Sequence, residues 1–205
     1  MKKKFLNYSL KMIKNNNPDL SEIELDEIRY GLEGIYLTVT KTIVIFSLSL
    51  ILGVFKEMIL LLFFFNILRS TGFGLHAKKS WQCWISSIIL FVFLPMLAKI
   101  IIIPFHIRFI MNILSIILVF KFAPADTEKH PLINEKKRKI WKIITTINTI
   151  FIVLLSFIIK DNTIINLIIF SIYIEVILMN PLTYKILNLN YNNYQKYNLE
   201  VEVAE

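Results

Sequence analysis

The sequence predicts an all-α integral membrane protein, with six transmembrane helices behind N-terminal interfacial amphipathic helices. Three observations carry that expectation. Hydrophobic residues make up 56% of the 205 and charged residues 19%, with a mean hydropathy of +0.61; a soluble domain carries more charge and breaks its apolar runs sooner. Isoleucine, leucine and phenylalanine arrive in blocks of about twenty residues, the length that crosses a bilayer as helix. Lysine and arginine collect in alternate connections between those blocks, as cytoplasmic loops do. The net charge of +8 is then explained by basic loops, and no nucleic-acid partner is expected.

Taken in order, residues 1–14 place Phe5, Leu6, Tyr8, Met12 and Ile13 at helical intervals among Lys2, Lys3, Lys4, Lys11 and Lys14. That pattern predicts a short helix on an anionic membrane surface, so anionic lipids are expected partners. The basic N-terminus is not followed by a continuous apolar region with a small-residue cleavage site, so no cleavable signal peptide is expected. Asparagines 15–17 and Pro18 break this helix. Ser21 and Glu24 fit a capping box, and a second interfacial helix follows to about residue 34, with Leu25, Ile28, Leu32 and Ile35 along one face.

Apolar segments at 35–55, 57–69, 84–103, 107–123, 140–159 and 163–182 supply the six spans. With the N-terminus inside, the cytoplasmic parts are 1–34, 69–83, 121–142 and 183–205. They hold six, three, seven and two Lys or Arg, eighteen in all, against four in the outer turns (Lys56, Lys99, Arg108, Lys160). Trp81, Trp84 and Trp141 fall at the cytoplasmic interface, where amphipathic rings settle. The second segment is short for a crossing; fusing 42–68 into one helix gives a four-span alternative, which ranks second because it separates two basic stretches. The whole chain reads as a single membrane domain, 1–205. Its large inner loop is 121–142, and its tail after Pro181, rich in Asn and Tyr, is expected to be mobile and cytoplasmic.

A polar island at 69–83 interrupts this layout. It contains Cys83, the sole cysteine, seven positions after His76, one of three histidines. Cysteine peptidases need a thiolate, an imidazole to receive and return the proton, and a means of holding both. At the start of the third span Cys83 lies near the positive end of a helix, with Lys78 and Lys79 close by, and both features lower a thiol pKa. On a straight helix His76 and Cys83 share a face but lie about 10 Å apart along the axis. Catalysis therefore requires a bend, for which Gly72 and Gly74 provide backbone freedom. Packing or acylation is the ordinary fate of a lone cysteine at a helix end, and a scaffold palmitoylated at Cys83 stays open from the residues alone.

Two intramembrane charges have matching depth: Lys41 about 9 Å into the first span and Glu175 about 10 Å into the sixth. An ion pair is expected between them, and a transport component using Lys41 and Glu175 is the rival function. Asn66, Asn112, Asn148 and Asn166 are expected to join helices by hydrogen bonds. Neither His106 nor His130 has metal-ligand company, so no metal site and no cofactor is expected.

Three blocks, in order, resemble the accessory gene regulator B (AgrB) family, membrane cysteine endopeptidases of Gram-positive quorum sensing. They are Tyr30 to Glu33 before the first span; Arg69, then Gly74 to Ala77 and Cys83; and Lys121 to Thr127 with Pro131 and the basic residues after it. The family usually shows paired glycines before the residue that precedes the histidine. Here Phe73 takes the first of those places, with a glycine at 72. The resemblance implies a short AgrD-like precursor peptide with an amphipathic leader and an acidic tail. Cys83 would attack its carbonyl, with His76 as general base and then acid. A Cys or Ser of the peptide would intercept the acyl-enzyme and close a thiolactone or lactone. Lys78, Lys79, Lys129, Lys136, Lys137, Arg138 and Lys139 would hold the acidic tail, or else only fix topology and touch anionic lipid. Arg69 would orient a carboxylate or phosphate headgroup, Gly74 would support the site, and Asp126 would orient His76. A homodimer in the cell membrane, its catalytic residues on the cytoplasmic side, is implied as well.

Overall fold

A computed structural model describes residues 2–75, 80–128 and 131–196. The chain divides into two compact units, residues 1–50 and 51–205.

The first unit is a helical hairpin. Helix α1 (Lys2–Asn16) ends at the asparagine run, and α2 (Glu22–Ile51) begins at the expected capping box. There the Ser21 amide donates to Glu24 Oε2 at 2.8 Å, and the Glu24 amide donates back to Ser21 Oγ at 3.3 Å. A Lys2–Glu33 ion pair and a Phe5–Tyr36 ring contact at 5.4 Å fold α1 onto α2. The expected break between interfacial helix and first span near residue 34 is not there: α2 runs unbroken for 30 residues. No proline occurs between Pro18 and Pro95. The glycines at 31 and 34 cost about 1 kcal/mol each in a helix, too little to stop one.

In the second unit α3 (Phe55–Gly72) has 18 residues and outruns the expected 57–69 at both ends. Next come α4 (Ser80–Ile88), a π-helical turn (Ile89–Phe93) and α5 (Leu94–Ile100), which together form one 21-residue rod. The wide turn lies just before Pro95, whose ring lacks an N–H and crowds the carbonyl four residues back. Helices α6 (Phe105–Phe122), α7 (Glu135–Ile158), α8 (Asn162–Met179) and the short α9 (Pro181–Ile186) follow.

Five stretches are long and apolar enough to cross a membrane: Glu22–Ile51, Ser80–Ile100, Phe105–Phe122, Glu135–Ile158 and Asn162–Met179. Helix α3, which carries Lys56, Glu57 and Arg69, is not among them.

Helix α8 is the hub. Ile168, Ile172 and Met179 are fully buried against Leu68 of α3, Val119 of α6 and Ile152 of α7, and Leu167 against Leu61 of α3 and Ala98 of α5. The outer helices expose apolar side chains such as Ile110, Ile117, Ile143 and Phe151. Such a surface belongs against lipid. Two of the four asparagines join helices as expected. Asn112 donates to Ser156 Oγ at 3.0 Å, and Asn166 donates to the carbonyls of Ala98 (3.0 Å) and Ile101 (2.7 Å). Asn66 turns back on its own helix, to the Leu62 carbonyl at 2.7 Å.

Contacts between connections define two ends of this bundle. One end gathers residues 72–75, 123–128, the start of α7 and residues 178–196. The other gathers the turn at Gly53 with Lys99 and the α6–α7 contact of Phe105 with Phe157. The tail was expected to be mobile but is folded as far as residue 196, because Asp126 accepts hydrogen bonds from its backbone.

Candidate active site

Helix α3 stops at Gly72 because the next two residues leave helical space: Phe73 has φ 58° and ψ −121°, and Gly74 has φ 93°. Both lie where an L side chain is strained. The Phe73 ring meets Trp141 edge-on, with centroids 5.6 Å apart.

The segment 72–75 is fully tied down. Gly74 N–H donates to the Ala125 carbonyl at 2.7 Å, Ala125 N–H to the Gly72 carbonyl at 3.0 Å, and Leu75 N–H to the Leu178 carbonyl at 3.0 Å. The guanidinium of Arg69, one turn back on α3, donates to three successive carbonyls: Phe73, Gly74 (3.1 Å) and Leu75 (2.7 Å). Glu175 of α8 is fully buried, with Oε2 3.6 Å from Arg69 Nη1. Irregular backbone survives beside a bilayer only when its polar groups are met within protein or cavity, and here protein meets them.

Two glycines make this approach possible. A Cβ on Gly74 would stand 2.8 Å from the Leu178 carbonyl oxygen and 2.9 Å from Arg69 Nη1; one on Gly72 would stand 2.8 Å from Glu175 Oε1.

Leu75 leads into His76, which with Ala77, Lys78 and Lys79 lies outside the described residues, as does Lys129. The chain resumes as α4 at Ser80, so Cys83 sits in the first turn of that helix, half-buried. A single straight helix through 74–85 is thus absent: Gly74 and Leu75 are non-helical.

Asp126 is nearly fully buried. One carboxylate oxygen accepts from the Asn193 amide at 2.9 Å and the other from the Tyr194 amide at 2.8 Å, while Tyr184 donates its hydroxyl to the Asp126 carbonyl at 2.8 Å. Burial pushes the Tyr184 phenol above its usual pKa, and the nearby Asp126 carboxylate adds to the shift. Sequence reasoning missed Tyr184, Asn193 and Tyr194. The signal was the tyrosine content of the tail, since buried tyrosine seeks a hydrogen-bond partner.

Of the basic run at the start of α7, Lys136 and Lys137 are exposed, and Lys139 pairs with Glu135 at 2.6 Å. Arg138 donates to the Leu132 and Ile133 carbonyls and lies 3.8 Å over the Tyr194 ring. Lys41 and Glu175 belong to different units, and the cation beside Glu175 is Arg69. Among the described residues no group of three or more His, Cys, Asp or Glu side chains is arranged to hold a metal.

The class so defined is a polytopic helical membrane protein whose irregular, glycine-dependent segment is pinned at one end of the bundle by the half-buried Arg69 beside the buried Glu175. The chain belongs to the accessory gene regulator B (AgrB) family, whose model matches residues 5–179. It is 35% identical over 189 residues to a putative AgrB-like protein of Clostridium acetobutylicum, covering 92% of this chain and 90% of the relative. It is likewise 35% identical over 173 residues to a putative AgrB-like protein of Listeria monocytogenes, covering 83% of this chain and 84% of that one. The accessory gene regulator protein B of Staphylococcus intermedius is 35% identical over 128 residues, 62% of this chain and 67% of its own. No solved structure matches.

Proposed function

We propose that this protein is a membrane cysteine endopeptidase that trims a short precursor peptide and supports its cyclisation. The Cys83 thiolate, its proton passed to His76, attacks the carbonyl at the head of the peptide's acidic tail. The imidazolium returns the proton to the departing amine, the C–N bond breaks, and a thioester to Cys83 remains. A thiol or hydroxyl within the peptide then attacks this thioester, closing a thiolactone or lactone ring and restoring the Cys83 thiol. A dry pocket favours that internal attack over hydrolysis.

The observation that carries this reading is the grip of Arg69 on three carbonyls directly before His76. A half-buried arginine beside the buried Glu175, in a chain of this family, fixes the backbone that leads to the histidine. Holding a general base in place is a large part of what such a site must do. The position of Cys83 in the first turn of α4, half-buried and eight residues after Leu75, supports it further. Glu175 beside Arg69 serves the same scaffold, which weakens the transport alternative.

The proposal takes six spans, with both termini and the site at the cytoplasmic face. At 1.5 Å per residue α3 extends about 27 Å, close to the hydrocarbon thickness of a bilayer. The end that gathers 72–75 also carries most of the basic residues of its unit. The acidic tail of an AgrD-like peptide would meet the exposed Lys136 and Lys137, together with Lys78, Lys79 and Lys129. The whole chain would act as one membrane domain, paired with a second copy.

Co-expression with an AgrD-like precursor peptide tests the mechanism. Wild type should yield a Cys83-linked peptide thioester and a cyclic product by mass spectrometry. Cys83→Ala should accumulate uncut precursor at unchanged protein level. Cutting by Cys83→Ala at the wild-type rate would sink the mechanism.

A further inference from the structure

The connection after α6, the first turns of α7 and the folded tail enclose a cavity of about 430 Å³, lined in part by Lys121, Arg138, Lys139, Lys142, Tyr191 and Tyr194. Its electrostatics are one-sided. Lys139 is paired with Glu135, but Lys121, Arg138 and Lys142 have no carboxylate within ion-pair distance among the described residues. The neighbouring acids are occupied: Asp126 accepts from the tail backbone, and Glu128 accepts from Asn190 Nδ2 at 2.5 Å. A half-enclosed concavity with two phenols and three cations that have no carboxylate at ion-pair distance among the described residues suits a compact anion.

The setting of the cavity selects among anions. Lys142 Nζ stands 4.4 Å from the Phe120 ring centroid and Lys121 Nζ 5.5 Å from that of Phe122. The charges therefore sit at the rim of the apolar helix surface. One turn further into that surface are Ile117, below Lys121, and Ile143, below Lys139; Ile117, Phe120 and Ile143 are 56%, 58% and 58% exposed. A ligand with an anionic head and apolar chains satisfies both features together. An acidic peptide segment by itself would use the charges and leave the apolar rim uncovered.

We propose that this cavity binds the phosphate headgroup of an anionic phospholipid, whose acyl chains lie along the exposed faces of α6 and α7. Basic pockets between helix ends are a recurrent mode of lipid recognition. Binding there would also brace the 123–128 segment against α7 and the tail, and with it the Ala125 contact to Gly74. The site does not depend on the peptidase chemistry, so Cys83→Ala protein should bind as wild type does.

Native mass spectrometry of the full chain, released from nanodiscs of equal phosphatidylglycerol and phosphatidylcholine, reads the site directly. Phosphatidylglycerol should be retained at least tenfold over phosphatidylcholine. The Lys121→Gln, Lys142→Gln double variant should lose that preference, and the corresponding double arginine variant should keep it, which separates lost charge from lost fold. Equal retention of the two lipids by wild type, or an undiminished preference in the glutamine variant, would overturn the proposal. Two competitors decide the source of the anion. Displacement of the lipid by millimolar inorganic phosphate would make the site a free-phosphate site, and displacement by hexaglutamate would make it a peptide site. Either result removes the lipid assignment; resistance to both supports it.

Discussion

The two ends of the 51–205 bundle are built on different principles. At the Gly53 end the connections are short, and side chains meet the helix ends, Asn166 donating to the Ala98 and Ile101 carbonyls. Asp161 caps α8 by accepting from the Thr163 and Ile164 amides at 2.8 and 3.2 Å, and Lys99 reaches the Gly53 carbonyl and Glu57 at the surface. At the Gly74 end the backbone is held by partners distant in sequence: Ala125, Leu178 and, through Arg69, Glu175. That end also contains the strained Phe73 and a carboxylate, Asp126, buried under the tail. An end that only connects helices has no need of buried charge. The difference marks where this protein departs from plain helix packing, and it coincides with the approach to His76.

Removing the anchor should have the largest effect. Glu175→Ala leaves the half-buried Arg69 without its counter-charge, and deleting one member of a fully buried pair costs about 3–5 kcal/mol, an upper bound here. A fall in the thermal unfolding midpoint together with loss of peptide processing is expected. The double variant Arg69→Met, Glu175→Leu separates fold from function. Apolar replacement of a buried pair restores stability, whereas the grip on the 73–75 carbonyls stays lost. The double variant should therefore fold and still fail to process. Full activity in that variant would mean the pair is only structural.

Gly74→Ala comes next. The new methyl would sit 2.8 Å from the Leu178 carbonyl oxygen, at a φ of 93°, and a non-glycine residue there is strained by about 1–3 kcal/mol before any clash is counted. Processing should fall by about tenfold to a hundredfold, at 1.36 kcal/mol per decade, while helix content by circular dichroism is kept. A wild-type rate would show that the observed backbone path is not the one used in turnover.

Much of the fold was legible in the sequence because its signals are local. The Ser21–Glu24 capping box, the apolar blocks and Pro95 each act over a few residues, and the helices follow them. The misses share a cause. Whether α2 breaks near Gly34 depends on the absence of a strong breaker, which a composition shift at that point conceals. The contact of Arg69 with Glu175 could not be read from depth alone, since only packing brings Arg69 of α3 to α8. The tail looked mobile from its Asn and Tyr, yet Asp126, nearly seventy residues earlier, orders it. The candidate site was legible as residue types, a lone cysteine after a histidine in a glycine-broken island. Its backbone support was not, because that support comes from residues 125 and 178, far along the chain. Phe73, where the family usually has glycine, does occupy a positive-φ position, so the departure noted in the sequence falls on a strained residue.

The smallest expected effect is the control at the opposite end. Asp161→Ala removes the N-cap of α8 and should cost about 1 kcal/mol, within the range of about 0.5–2 for such caps. In a chain of this size that lowers the unfolding midpoint by roughly 2–4 °C. Processing per folded molecule should not change, because the cap satisfies only Thr163 and Ile164 of its own helix. The test is demanding because α8 carries Asp161 at one end and Glu175 and Leu178 near the other, so a rigid helix could transmit a local change along its length. If Asp161→Ala slowed processing as much as Gly74→Ala does, α8 would be acting as a rod that couples the two ends. The contrast between them would then be one of construction and not of function.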